Sequence, residues 1–181
     1  MENMDSTVIA TSLAAIAADI GTDPISLKLA LTAYLVALAI FIPISSWMAD
    51  RFGARRVFRL AMLVFMIGSI ACAFSGSLAE FVGARFIQGM GGAMMGPVAR
   101  LVLVRMTPRH QLVDAMAWLT IPGLIGPIVG PPFGGFLTTY FSWHWIFIIN
   151  IPIGLLGMAL VGIALPNETR NKPRNIDGKG F

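Results

Sequence analysis

Gly126-Pro127-Ile128-Val129-Gly130-Pro131-Pro132-Phe133-Gly134-Gly135 is a run of glycine and proline set inside strongly apolar sequence. From Ala115 to Asn167 the chain carries no Asp, Glu, Lys or Arg. In water so many glycines and prolines would prevent a helix. In a membrane, neighbouring helices satisfy the freed backbone groups, and the same residues become a device for packing and bending. The spacing puts Gly126, Gly130 and Gly134 on one helix stripe.

The rest of the chain agrees with a membrane setting. Of 181 residues, 56% are hydrophobic and 12% are charged, about half the charged share of a soluble domain. Mean hydropathy is +0.78. This is too much apolar sequence for one soluble core, and it points to an integral membrane protein. The lone Cys72 excludes an internal disulfide.

Charge placement divides the chain into an all-α bundle of six spans, at about 1–20, 26–49, 57–77, 79–104, 112–139 and 144–165. The fourth is interrupted by Arg85 and Arg100. The stretch between Asp114 and Asn167 is too long for one span. It divides at the polar and aromatic patch Thr138–Trp145, read as a turn at an interfacial belt. The first segment is ambiguous. Ser6–Ala18 alone is too short to cross, so it either lies at the interface or crosses with Asp5 embedded; crossing keeps the charge pattern regular.

Basic residues gather after the second span (Arg51, Arg55, Arg56, Arg59), after the fourth (Arg100, Arg105, Arg109) and in the tail. The other connections hold Asp19, Asp23, Lys28 and Glu80. The basic loops and tail are therefore expected on the cytoplasmic side of the inner membrane. The same placement accounts for a pI near 9.8 without nucleic acid. Residues 166–181, polar and turn-rich, read as a cytoplasmic linker to a missing carboxy-terminal half.

Several groups carry chemistry. Asp50 falls where the second helix leaves the membrane; Gly53 permits a sharp turn, and the arginines after it can pair with Asp50 or cap a helix end. Arg85 lies about two turns into its helix, roughly 10 Å below the outer edge. An intramembrane arginine is costly and points to function, against the plainer reading that it snorkels to the interface. Gln88, one turn on, can share a water or a polar substrate with it. Asp5 sits some 21 Å of helix from Asp19; a carboxylate at that depth is held paired or protonated, unless it simply lies near the inner surface of a cut helix. His144 reads as interfacial, between Trp143 and Trp145. No metal-ligand spacing, nucleophile or phosphate loop appears, so no cofactor, metal or enzymatic activity is expected.

These segments resemble the major facilitator superfamily, in order and over nearly the whole chain. Asp50-Arg51-Phe52-Gly53-Ala54-Arg55-Arg56 is similar to its loop signature G-x-L-A-D-R-x-G-R-[RK], with Ala54 at one basic position and Ser46 at the first glycine. Arg85-Phe86-Ile87-Gln88-Gly89-Met90-Gly91 resembles R-x-x-Q-G-x-G. Gly126-x-x-x-Gly130-Pro131-x-x-Gly134-Gly135 matches the antiporter motif G-x-x-x-G-P-x-x-G-G at every fixed position. Asp5-Ser6-Thr7-Val8 and the segment Trp143-His144-Trp145-Ile146-Phe147 through Asn150 and Pro152 resemble signatures of the fourteen-helix drug:proton antiporters.

The resemblance implies the amino-terminal six-helix bundle of that fold, built from two three-helix repeats. It implies proton-driven efflux of drugs or other amphipathic small molecules. Asp5, Arg85 and Gln88 would serve proton coupling and substrate. Asp50, Arg51, Gly53, Arg55 and Arg56 would form a gate, with Asp50 latched to Arg51 and Arg55. The Gly126–Gly135 helix would be the pivot. Expected partners are the bilayer, protons, the substrate and the other half of the transporter. The rivals are an exporter of another metabolite or siderophore, and a six-helix subunit or remnant without transport.

Overall fold

The structure, a computed structural model, describes residues 2–164, without the side chains of residues 2–6, 10, 122 and 164. The tail read as a linker lies outside the described residues. The described chain runs as α1 (Glu2–Ile20), α2 (Pro24–Phe52), α3 (Ala54–Ala73), α4 (Leu78–Met106), a 3₁₀ turn (Arg109–Gln111), α5 (Leu112–Tyr140), α6 (His144–Ile148) and α7 (Asn150–Ala164). Helix α1 is followed by five segments long and apolar enough to cross a membrane, the last being α6 and α7 together. Large apolar side chains face outward: Ile128 is 73% exposed and Ile163 86%. In water that surface would aggregate; against lipid it costs nothing. The described residues form an all-α, multi-pass membrane bundle.

Short, chemically specified turns join the helices. Gly21 and Gly53 take φ of 72° and 89°, a region that side-chain-bearing residues rarely enter. Ser77 opens α4 by accepting from the Glu80 N–H at 3.3 Å, and the Glu80 carboxylate accepts from the Gly76 N–H at 3.0 Å. This is a capping arrangement that satisfies donors left open at a helix start.

The Gly/Pro-rich segment is helical throughout, inside α5. The turn after it is narrower than the patch Thr138–Trp145. Thr138 Oγ1 donates to the carbonyls of Gly134 and Gly135, the Phe141 N–H still reaches Leu137, and only Phe141–Trp143 leave the helix. The last span is two helices rather than one. They break at Ile149, three residues before Pro152, which lacks the N–H that Ile148 would receive.

The packing follows an exchange between repeats. Helix α4, first of the second set, packs on α2 of the first, while α1 packs on α5. Helices α3 and α4 meet backbone to backbone. A Cβ on Gly68 would lie 2.5 Å from Gln88 Cα, and one on Gly91 would lie 2.6 Å from the Ala61 carbonyl oxygen. Helix α7 runs antiparallel along α3. Arg55 Nη2 donates to the Gly162 carbonyl at 2.5 Å, Gly157 faces Met62, and Asn150 reaches Ser69.

Candidate functional site

Arg85 stands eight residues into α4 and is 0% exposed, so it does not snorkel. Burial of an unpaired charge would be prohibitive, and the surrounding helices supply partners. Its Nη1 donates to Gln88 Oε1, one turn along the same helix. Its Cζ lies 4.2 Å from the ring centroid of Tyr34 on α2, a desolvated cation–π contact of about 2 kcal/mol. Gln88 in turn donates from Nε2 to Ser69 Oγ on α3 at 2.8 Å. Asn150 Nδ2, at the start of α7, points at the same oxygen from 3.5 Å, and the Cys72 thiol lies 3.7 Å from Gln88 Oε1. A polar chain therefore links four helices through an otherwise apolar interior.

Close approach makes this geometry possible. A Cβ at Gly89 would lie 2.8 Å from the Tyr34 carbonyl and from Ala37 Cβ, so the glycine lets α2 bring its tyrosine to the guanidinium. Gly68 does the same for α3 and brings Ser69 to Gln88. Asp5 lies on the backbone of α1, but its side chain is outside the described residues, and so is any pairing with Arg85.

At the end of the bundle that carries the arginines, Arg105 Nη2 donates to Asp50 Oδ1 at 2.5 Å. The sequence reading paired Asp50 with Arg51 and Arg55 instead. Neighbouring helical residues diverge by about 100°. Arg51 turns to the aromatic rings of Trp47 and Phe52, 5.6 and 5.9 Å from their centroids. Arg55, beyond the turn at Gly53, reaches the Gly162 carbonyl. Asp50 faces α4, whose last turn carries Arg105. Arg56 is exposed.

Along α5, Gly130 and Gly134 are buried, whereas Gly126, Pro131 and Gly135 are half-buried. A Cβ on Gly134 would lie 2.7 Å from Val8 Cγ1 and 2.9 Å from Thr11 Oγ1 of α1; on Gly135 it would meet nothing within 4 Å.

At the opposite end, the Trp143 indole N–H donates to Asp19 Oδ2 at 2.9 Å, and its ring packs on Phe81 and Phe147. His144 stacks on Trp143, touches Ser142 Oγ through Nδ1 at 2.7 Å, and holds Nε2 4.0 Å from Asp19. Trp145 and Pro152 are exposed.

Sequence reasoning passed over Tyr34 and Ser69, read Arg105 only as part of a basic cluster that sets orientation, and named Asn150 only within a signature.

A family model described as Major Facilitator Superfamily matches residues 1–180. The chain is 44% identical over its full length to proteins of Yersinia enterocolitica and Serratia proteamaculans, and 42% identical to one of Escherichia coli, all provisionally named multidrug resistance protein MdtD. In each case it spans 38% of the relative's length. Among solved structures it superposes on the proton:xylose symporter XylE with a TM-score of 0.80 at 17% identity, covering 92% of this chain and 42% of that one. It superposes on a bacterial homologue of the human lysosomal transporter Spinster with a TM-score of 0.77 at 18% identity, covering 98% and 43%. Fold, ordered motifs and match over the whole described length agree: the chain belongs to the Major Facilitator Superfamily.

Proposed function

We propose that this chain is the amino-terminal bundle of a proton-coupled efflux transporter of the inner membrane, exporting drugs or other amphipathic small molecules in exchange for protons. The observation that carries this reading is Arg85, a cation wholly buried in the middle of a membrane bundle and held by Gln88 and Tyr34. An ionisable group in that position marks a substrate or proton path by default. The relatives named for multidrug resistance favour a drug-like cargo.

In this reading the end bearing Asp50 and Arg105 faces the cytoplasm, because the arginine-rich connections lie there. The Asp50–Arg105 pair ties α2 to α4 as part of the gate. Asp5 and Arg85 serve proton coupling, the carboxylate taking up the proton and the permanently charged guanidinium acting on it electrostatically. The α1/α5 seam at Gly134 is the surface on which helices shift, and a second bundle supplies the other wall of the cavity. The roles are those of a transporter and not of an enzyme.

The test is efflux of a fluorescent lipophilic cation from energised vesicles containing the complete transporter. Asp5→Asn abolishes proton-driven efflux while leaving membrane insertion intact. Normal efflux with an unchanged pH profile in that variant removes Asp5 from the mechanism.

A further inference from the structure

We infer that Ser69 and Asn150 are positioning residues for Arg85, acting through the orientation of the Gln88 amide. The inference rests on the efflux reading for its functional consequence, but its geometry stands apart from it. A guanidinium has only donors. The Gln88 atom that faces Arg85 must therefore be the carbonyl Oε1, and the planar amide then aims Nε2 away from the arginine. That nitrogen lands 2.8 Å from Ser69 Oγ. A serine oxygen offers two acceptor lone pairs, and Asn150 Nδ2 approaches the same oxygen at 3.5 Å.

A flipped Gln88 would set NH₂ against guanidinium, so Arg85 fixes which end of the amide faces it, and Ser69 with Asn150 holds the other end in place. Without them, Nε2 loses its acceptor, and the far end of the amide that presents Oε1 to Arg85 is no longer anchored. Gln88 and Ser69 are 0% exposed and Asn150 5%, so water does not substitute for a missing partner. The chain also crosses between repeats, since Ser69 lies on α3 and Asn150 on α7. The 3.5 Å contact is the longest of its N–H···O bonds and the first to part if α7 shifts along α3.

Cys72 provides the reporter. It is the one cysteine of the chain, buried, with its thiol beside Gln88 Oε1. The 181-residue protein in membranes is alkylated with a membrane-permeant maleimide, as wild type and as Ser69→Ala, Ser69→Thr and Asn150→Leu. Freeing the amide should speed labelling about fivefold or more in Ser69→Ala and Asn150→Leu, the population change expected for one lost buried hydrogen bond. Ser69→Thr keeps the hydroxyl and should label like wild type. A purely steric role predicts the reverse order, because threonine is the bulkier replacement. In the complete transporter, Ser69→Ala should shift the pH profile of efflux and Ser69→Thr should restore it.

Labelling within twofold of wild type in both Ser69→Ala and Asn150→Leu, or Ser69→Thr labelling faster than Ser69→Ala, overturns the inference. If the wild-type transporter shows no proton-linked efflux, the efflux reading fails, and the labelling result still decides the roles of Ser69 and Asn150.

Discussion

Two adjacent glycines of one motif should respond to the same substitution with opposite sign. A Cβ on Gly134 would sit 2.7 Å from Val8 Cγ1, 2.9 Å from Thr11 Oγ1 and 3.1 Å from the Val8 carbonyl oxygen. Carbon atoms in contact prefer about 3.5–4.0 Å. Val8 is only 2% exposed and branched at Cβ, so it has little freedom to turn aside. Thr11 is tied by its own bond to the Val8 carbonyl at 2.8 Å. Helix α1 must back away from α5 by nearly an ångström.

Overpacking of this kind costs about 1–3 kcal/mol. For a chain of this length that lowers the unfolding midpoint by roughly 2–12 °C. Gly135→Ala adds its methyl to open space. It gains about 1 kcal/mol of helix propensity, which raises the midpoint by roughly 2–4 °C. The assay is thermal unfolding in detergent followed by tryptophan fluorescence, for wild type and both variants. In the complete transporter, efflux should fall in Gly134→Ala and persist in Gly135→Ala. Equal destabilisation by the two substitutions, or an unchanged midpoint in Gly134→Ala, refutes the assignment of the seam to Gly134.

Gly91→Ala should be the more damaging change, at the upper end of about 1–3 kcal/mol, because the obstacle is the backbone of Ala61 and Phe65 rather than a side chain; Gly83→Ala, exposed and open on all sides within α4, is its control in the same melt and should be stabilising by up to about 1 kcal/mol. The Asp50–Arg105 pair, with side chains 38% and 32% exposed, should contribute under about 1 kcal/mol to stability. A double-mutant cycle of Asp50→Asn with Arg105→Gln reads that coupling, and a value near zero together with normal efflux would remove the pair from the gate.

Much of the architecture was legible because hydrocarbon imposes simple conditions. A charge-free run must cross, a basic connection orients, and a lone arginine in a span must find company. Arg85 could be singled out for that reason, and Gly53 for the turn that follows Asp50. Partners distant in sequence were not legible. Arg105 lies 55 positions from Asp50, and Trp143 lies 124 from Asp19; only the packing of α2 on α4, and of α1 near α6, makes them neighbours. Ser69 and Tyr34 were invisible for a related reason. A hydroxyl in a span reads as helix packing until the opposing helix shows an amide or a guanidinium. The glycines divided likewise: periodicity groups Gly126, Gly130 and Gly134, but only the facing helix tells Gly134, closed by Val8, from Gly135, open to space.

The location of the polar chain also bears on how the protein is made. Arg85, Gln88, Ser69 and Cys72 all belong to the α3–α4 hairpin, whose helices are joined by a connection of only Phe74–Ser77 and touch at Gly68 and Gly91. Tyr34 is synthesised earlier still. A ribosome that has just released α4 therefore delivers the arginine into the bilayer with its amide, hydroxyl and aromatic companions already present, before α5, α6 or α7 exist. Asn150 arrives last and closes a network that was already sheltered. The cation need not cross the insertion machinery naked, and the membrane cost of carrying it is met during biogenesis as well as in the finished bundle.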